Sequence, residues 1–125
     1  MRIQTDGKYA IIPSDGTTAL RIPIPYLGTV RQAVEQTCET GNHNYMEKGD
    51  IGIETKRHRM DRNCNYCDEQ RKYMIDIVVG VDYRSKSWKY IHNSVLWCKP
   101  CARVLVETIE HEFETNPDKY LGYTL

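Results

Sequence analysis

Two cysteine brackets of one spacing dominate this chain: Cys64-Asn65-Tyr66-Cys67 and Cys98-Lys99-Pro100-Cys101, with thirty residues between Cys67 and Cys98. Four thiolates so arranged can close a tetrahedral metal site. Each C-x-x-C grips the ion as a tight chelate, and the intervening segment becomes a loop pinned at both ends. The expected occupant is one structural zinc held by Cys64, Cys67, Cys98 and Cys101. Redox couples, disulfides and an iron centre are the alternatives. A redox C-x-x-C normally occurs once, near a βαβ pattern that this chain lacks, and a disulfide framework spreads more cysteine along the sequence. A catalytic zinc is not expected, because four thiolates leave no coordination position for water.

Composition narrows the class. At 125 residues, 40% hydrophobic and 27% charged, the chain is long enough for one domain or a small domain with an appended zinc module. No apolar run reaches the length of a membrane span, so no membrane partner is expected. The opening Met1-Arg2-Ile3-Gln4-Thr5-Asp6 has no apolar h-region. With five cysteines in metal-type spacing, this points to a reducing, cytoplasmic setting. The 17 Lys+Arg balance 17 Asp+Glu, which argues against a polybasic coat protein. The charge is nevertheless polarised. Residues 55–105 hold eleven Lys/Arg against five acids, whereas residues 106–125 hold one Lys and five acids.

Local patterns give an outline. Lys8 to Ile12 and Thr17 to Ile24 read as a β-hairpin turned by Pro13-Ser14-Asp15-Gly16, with Pro23 marking an edge or an end. Thr29-Val30-Arg31-Gln32 has the form of a capping box for a helix from about Val30 to Glu39, with Val30, Ala33, Val34 and Cys38 on its buried face. Gly41-Asn42 should stop that helix, and Asn42 to Gly49 reads as a loop. Asp50 to Thr55 alternates as a strand and runs into the basic stretch Lys56 to Arg62. Between the brackets, Tyr73 to Tyr83 reads as a half-buried strand, with Ile75, Ile77, Val79, Val81 and Tyr83 inward and Asp76 and Asp82 outward. Arg84 to Ser87 is the turn and Trp88 to Asn93 the return strand. The second bracket opens a helix with Pro100 in its first turn. Leu105, Ile109 and Phe113 are its buried stripe, with Ala102, Val104 and Val106 beside them. Glu107, Glu110, Glu112 and Glu114 lie on the solvent side, and Asn116-Pro117 is the stop.

Knuckle, hairpin, knuckle, helix is an order that resembles the treble-clef zinc fingers, over Cys64 to Phe113. The resemblance implies a first ligand pair on a zinc knuckle and a second at a helix N-terminus. The expected fold class is therefore α+β: a hairpin, helix and strand in residues 1–55, packed with a treble-clef-like zinc module in residues 56–125. This scaffold hosts many activities, so it does not select one. The stretch Ile91-His92-Asn93 to Cys101 is similar to part of the HNH-type nucleases. Such enzymes need a hairpin histidine as base, yet no histidine lies between Cys67 and His92, and Ala102 follows Cys101 where a His or Asn would be needed. His58 and His111 read as solvated surface groups.

The expectation is a non-catalytic binding or regulatory protein. Nine Tyr and two Trp favour a protein partner, as an interaction or inhibitory adaptor. The acidic C-terminal region, with its Tyr120 to Leu125 tail, is a further docking candidate. The alternative is nucleic-acid binding through Lys56, Arg57, Arg59 and Arg62, joined by Arg71, Lys72 and Lys86, with Tyr66 available for stacking.

Overall fold

In a computed structural model, residues 1–13, 19–48, 51–81 and 90–120 are described. The expected N-terminal hairpin forms from β2 (Tyr9–Ile12) and β3 (Leu20–Pro23), antiparallel, with Ala10 opposite Ile22 and Ile12 opposite Leu20. Those four side chains are fully buried on one face. A short strand not foreseen, β1 (Gln4–Thr5), adds to β2. Its return is set by Asp6, whose Oδ1 accepts from the amides of Lys8 (3.0 Å) and Tyr9 (2.8 Å). The Asp15-Gly16 turn lies outside the described residues.

Helix α1 (Leu27–Thr40) starts three residues earlier than the pattern suggested, straight out of a 3₁₀ turn at Ile24–Tyr26. The capping box does not form. Thr29 lies inside the helix, buried, and its Oγ1 has no hydrogen-bond partner among the described residues. The cause is packing. Leu27 and Gly28 are themselves buried, so the first turn is fixed by the core rather than by a side-chain cap. The far end follows expectation: Gly41 takes φ +74° and its amide donates to the Thr37 carbonyl at 2.9 Å.

The segment after α1 is not a loop but strand β4 (Asn44–Lys48), paired antiparallel with β5 (Ile51–Asn63) from Asn44 opposite Thr55 to Lys48 opposite Ile51. Strand β5 is much longer than its apolar start suggested and carries the whole basic run. It pairs with β6 (Gln70–Val81), which pairs with β7 (Tyr90–Cys98), giving an antiparallel sheet in the order β4-β5-β6-β7. The expected boundary at residues 55/56 thus falls within β5. The turn at 84–87, with Asp82, Tyr83, Lys86 and Trp88, lies outside the described residues.

One sheet face gathers Ile53, Thr55, Ile75, Ile77, Val79, Val95 and Trp97, all essentially inaccessible. Thr55 Oγ1 donates to the Ala33 carbonyl at 3.2 Å, which places α1 on that face. Helix α2 (Lys99–Thr115) lies beside α1, buries Ala102, Leu105, Val106 and Ile109, and reaches α1 through Arg31 and Glu110. Strand β6 is more buried than expected: Met74 and Val78 on the opposite face are covered too, and Asp76 is half-buried rather than outward. Val104 is 41% exposed and leaves the buried stripe of α2. Glu112 is half-buried instead of solvated and accepts from the Tyr120 hydroxyl at 2.9 Å. Tyr120, in a 3₁₀ turn at Pro117–Tyr120, is a fully buried core residue packed edge-on against Phe113. It is therefore not free to dock elsewhere. The tail from residue 121 lies outside the described residues. Among the described residues no helix is long and apolar enough to cross a membrane.

Candidate metal centre

The first bracket forms a tight turn between β5 and β6. The Cys64 amide donates to the Glu69 carbonyl and the Asp68 amide to the Cys64 carbonyl, both at 2.9 Å, with Asp68 at φ +58°. Asn65 fastens this turn to β7. Its amide donates to the Leu96 carbonyl at 2.9 Å, and its Oδ1 accepts from the Leu96 amide at 2.8 Å. Tyr66 tilts onto Trp97 with ring centroids 5.1 Å apart. The second bracket is placed by secondary structure alone: Cys98 ends β7 at the residue before α2, and Cys101 lies in the first helical turn.

These two placements bring Cys64, Cys67, Cys98 and Cys101 together, their four sulfurs all within 4.8 Å of one another. The Cys67 and Cys98 sulfurs are 3.9 Å apart. A tetrahedron of Zn–S bonds of about 2.3 Å has sulfur edges of about 3.8 Å, so the cluster has the dimensions of a metal site. The same distance is far beyond the roughly 2.05 Å of a disulfide, and all five cysteines are free thiols. Cys64 and Cys98 are 1% exposed; Cys67 and Cys101 are half-buried.

The surrounding amides suit thiolates. Cys64 Sγ accepts from the amides of Cys98 (3.2 Å), Tyr66 (3.3 Å) and Cys67 (3.5 Å). Burial pushes the Cys64 thiol up, but these three donors outweigh it and hold its pKa below the ordinary value. Cys98 is pushed up to about 11 by burial, against the opposing amide of Cys101. Cys101 is pushed higher still by burial and by the neighbouring sulfurs. The Cys64 thiolate is therefore prepared by the backbone, while Cys98 and Cys101 need a positive charge in their midst. A divalent cation supplies that charge. The donor set thus fits a thiophilic metal ion such as zinc, held by Cys64, Cys67, Cys98 and Cys101.

The basic residues are not gathered on one surface. Strand alternation sends Lys56 and His58 to one face, where Lys56 reaches Glu54 (3.9 Å) and His58 reaches Asp76 (3.7 Å). Arg57 and Arg59 go to the other face. The Arg57 guanidinium lies against Gly41, so close that a Cβ there would sit 2.6 Å from its Cζ. The cation thus meets the C-terminal end of α1. Arg59 lies over the Tyr73 ring at 5.9 Å from its centroid. Arg62 is opposite Arg71 across the β5–β6 ladder. Arg71 pairs with the Glu69 carboxylate and reaches the Cys67 thiol, so it belongs to the rim of the cysteine cluster. Lys72 is exposed, and Lys86 lies outside the described residues.

Sequence reasoning assigned no role to Asn65 or Trp97 and read Tyr66 only as a base-stacking candidate. The one signal available was the composition of the bracket itself. A turn-forming Asn directly after the first cysteine can use both its backbone and its side chain to dock the knuckle. No family model matches the chain, and no curated protein matches it.

Proposed function

We propose that this chain is a small intracellular zinc protein whose role is binding rather than catalysis: an interaction or inhibitory adaptor built on a treble-clef-type module. The observation that carries this reading is the closure of the metal site. Four cysteine sulfurs converge, so a bound zinc is saturated by protein and keeps no position for a substrate or water. The order of knuckle, β6–β7 pair, second knuckle and α2 supports the treble-clef assignment. The non-catalytic part draws support from the residues a nuclease would need. Asn93 is spent on structure, accepting from the Arg21 amide and donating to the Ala19 carbonyl, each at 3.0 Å. Ala102, where a nuclease would need a His or Asn, is packed in the core.

Native mass spectrometry of protein purified without added metal tests the reading. One zinc per chain is expected, lost in Cys64→Ser. Masses two or four hydrogens light with no metal would mean disulfides and would overturn it. Nucleic-acid binding is the second reading, favoured by the exposed Tyr73 under Arg59 with Lys72 and Lys99 nearby. It requires binding to single or double strands at low salt that weakens steeply as salt rises, and that Arg59→Glu abolishes.

A further inference from the structure

Strand β4 covers the outer edge of β5 only from Ile51 to Thr55. Beyond that point the chain turns in from α1, with Gly41 against Arg57. From His58 to Asn63 no described residue pairs with that edge, while on its inner side β5 pairs with β6 at His58, Arg59, Arg62 and Asn63, with a bulge between Arg59 and Arg62. Six residues of strand span about 20 Å. An edge of that length leaves a row of backbone donors and acceptors turned outward.

We propose that this free edge of β5 receives an extended acidic peptide segment of a partner protein as an added strand. The proposal rests on the binding-module reading above and names its surface and partner chemistry. Successive side chains of a strand point to opposite faces; on this edge Arg59 is exposed before the bulge and Arg62 beyond it, with Asp61 between them, while Lys56 lies outside the edge and reaches Glu54. A peptide strand laid beside β5 alternates in the same way. An acid of that peptide comes opposite Arg59 or Arg62 at cross-strand distance. A nucleic acid lacks the alternating amide donors and carbonyl acceptors that pair with a strand edge. A second copy of this chain brings the same excess of cation, two arginines against Asp61 alone in residues 58–63. The same cations that block self-pairing at an open edge therefore select an acidic partner.

The test pans zinc-loaded full-length protein against random dodecapeptides displayed on phage, at physiological salt. Enriched peptides are expected to carry acids alternating with β-branched residues and to slow amide hydrogen exchange within residues 58–63. N-methylation of alternate peptide nitrogens should cost at least about tenfold in affinity in one register and little in the other, because only one set faces β5. Arg59→Glu and Arg62→Glu should each weaken binding by about tenfold. The proposal is overturned if no acidic peptide is enriched, if both N-methyl registers bind alike, or if an oligothymidylate probe alone protects residues 58–63. Enriched peptides that protect a different surface would overturn the edge while leaving the binding-module reading intact.

Discussion

Asn65→Ala isolates what docks the knuckle without touching a ligand. The Asn65 side chain makes one bond of consequence, accepting from the Leu96 amide at 2.8 Å. The backbone bond from the Asn65 amide to the Leu96 carbonyl survives in alanine. The net loss of one such bond is about 1 kcal/mol, rising toward about 3 kcal/mol if the freed amide finds no water. Leu96 is half-buried and Asn65 exposed, so partial rehydration sets the figure near 1.5 kcal/mol. If the knuckle is ordered only when metal is bound, that whole cost appears in zinc affinity, as roughly a tenfold weaker dissociation constant. Competition against a chromophoric chelator measures it directly, and the melting temperature of the loaded protein should fall by about 5 °C. Asn63→Ala is the matched control. Its side chain makes only an exposed 3.4 Å contact with Asp68 and should change zinc affinity by less than about twofold. An Asn65→Ala protein that holds zinc as tightly as its parent would refute the claim that docking onto β7 organises the site.

Three further outcomes are expected. Chelation of the metal should unfold the C-terminal half, with loss of far-UV circular dichroism and a red-shifted tryptophan emission. Zinc in such sites contributes on the order of 10–16 kcal/mol, as much as the whole net stability of a domain; an unchanged spectrum after verified metal loss would sink this. Gly41→Ala should destabilise by at least about 1 kcal/mol in chemical unfolding, since the left-handed φ of +74° is strained for alanine and its Cβ would meet Arg57. Arg57→Ala in the same background should recover only the steric part of that loss. Thr37→Val should cost about 2 kcal/mol, because the Thr37 hydroxyl joins Thr55 (2.7 Å), Asn44 (2.9 Å) and the Asn42 carbonyl (3.1 Å) in a buried network that valine leaves partly unpaired. A melt indistinguishable from the parent would show that this network carries no stability.

What could be read from the chain was what local chemistry decides. The C-x-x-C brackets, the Gly41 stop, the apolar run of β2, the apolar alternation of β6 and the Pro100 start of α2 each carry their own physical reason within a few residues. The failures share another cause. Asn44 to Lys48 and Lys56 to Asn63 have little apolar periodicity, and they are strands because β4 pairs with β5 and β5 with β6. The Thr29 capping box has the right letters, but burial of Leu27 and Gly28 moves the helix start upstream of it. Val104 and Glu112 sit on α2 where periodicity alone could not place them. The packing of Tyr120 against Phe113 and its hydroxyl bond to Glu112 decide the environment of Glu112.

The distal end of the long sheet explains why the cysteine centre stands where it does. On β5, Arg59, Asp61, Arg62 and Asn63 are exposed; on β6, so are Gln70, Arg71, Lys72 and Tyr73. Burial on β6 resumes only at Met74, opposite Cys98. A two-strand extension of charged residues has too little apolar surface to hold itself in water. It is held instead at its tip, where the Cys64 to Cys67 turn joins β5 to β6 and is fixed to β7 and α2 through sulfur, Asn65 and the Tyr66–Trp97 contact. A metal bound by the four cysteines would offset the entropy of ordering a strand end on which, between Arg59 and Asn63, only Met60 packs against the core. The consequence is specific: loss of zinc should erase protection of the 58–63 amides in hydrogen exchange before it affects Ala10, Ile12 or Ile22 in the N-terminal sheet. If the N-terminal sheet opened first, the centre would be stabilising the core at large rather than displaying the edge of β5.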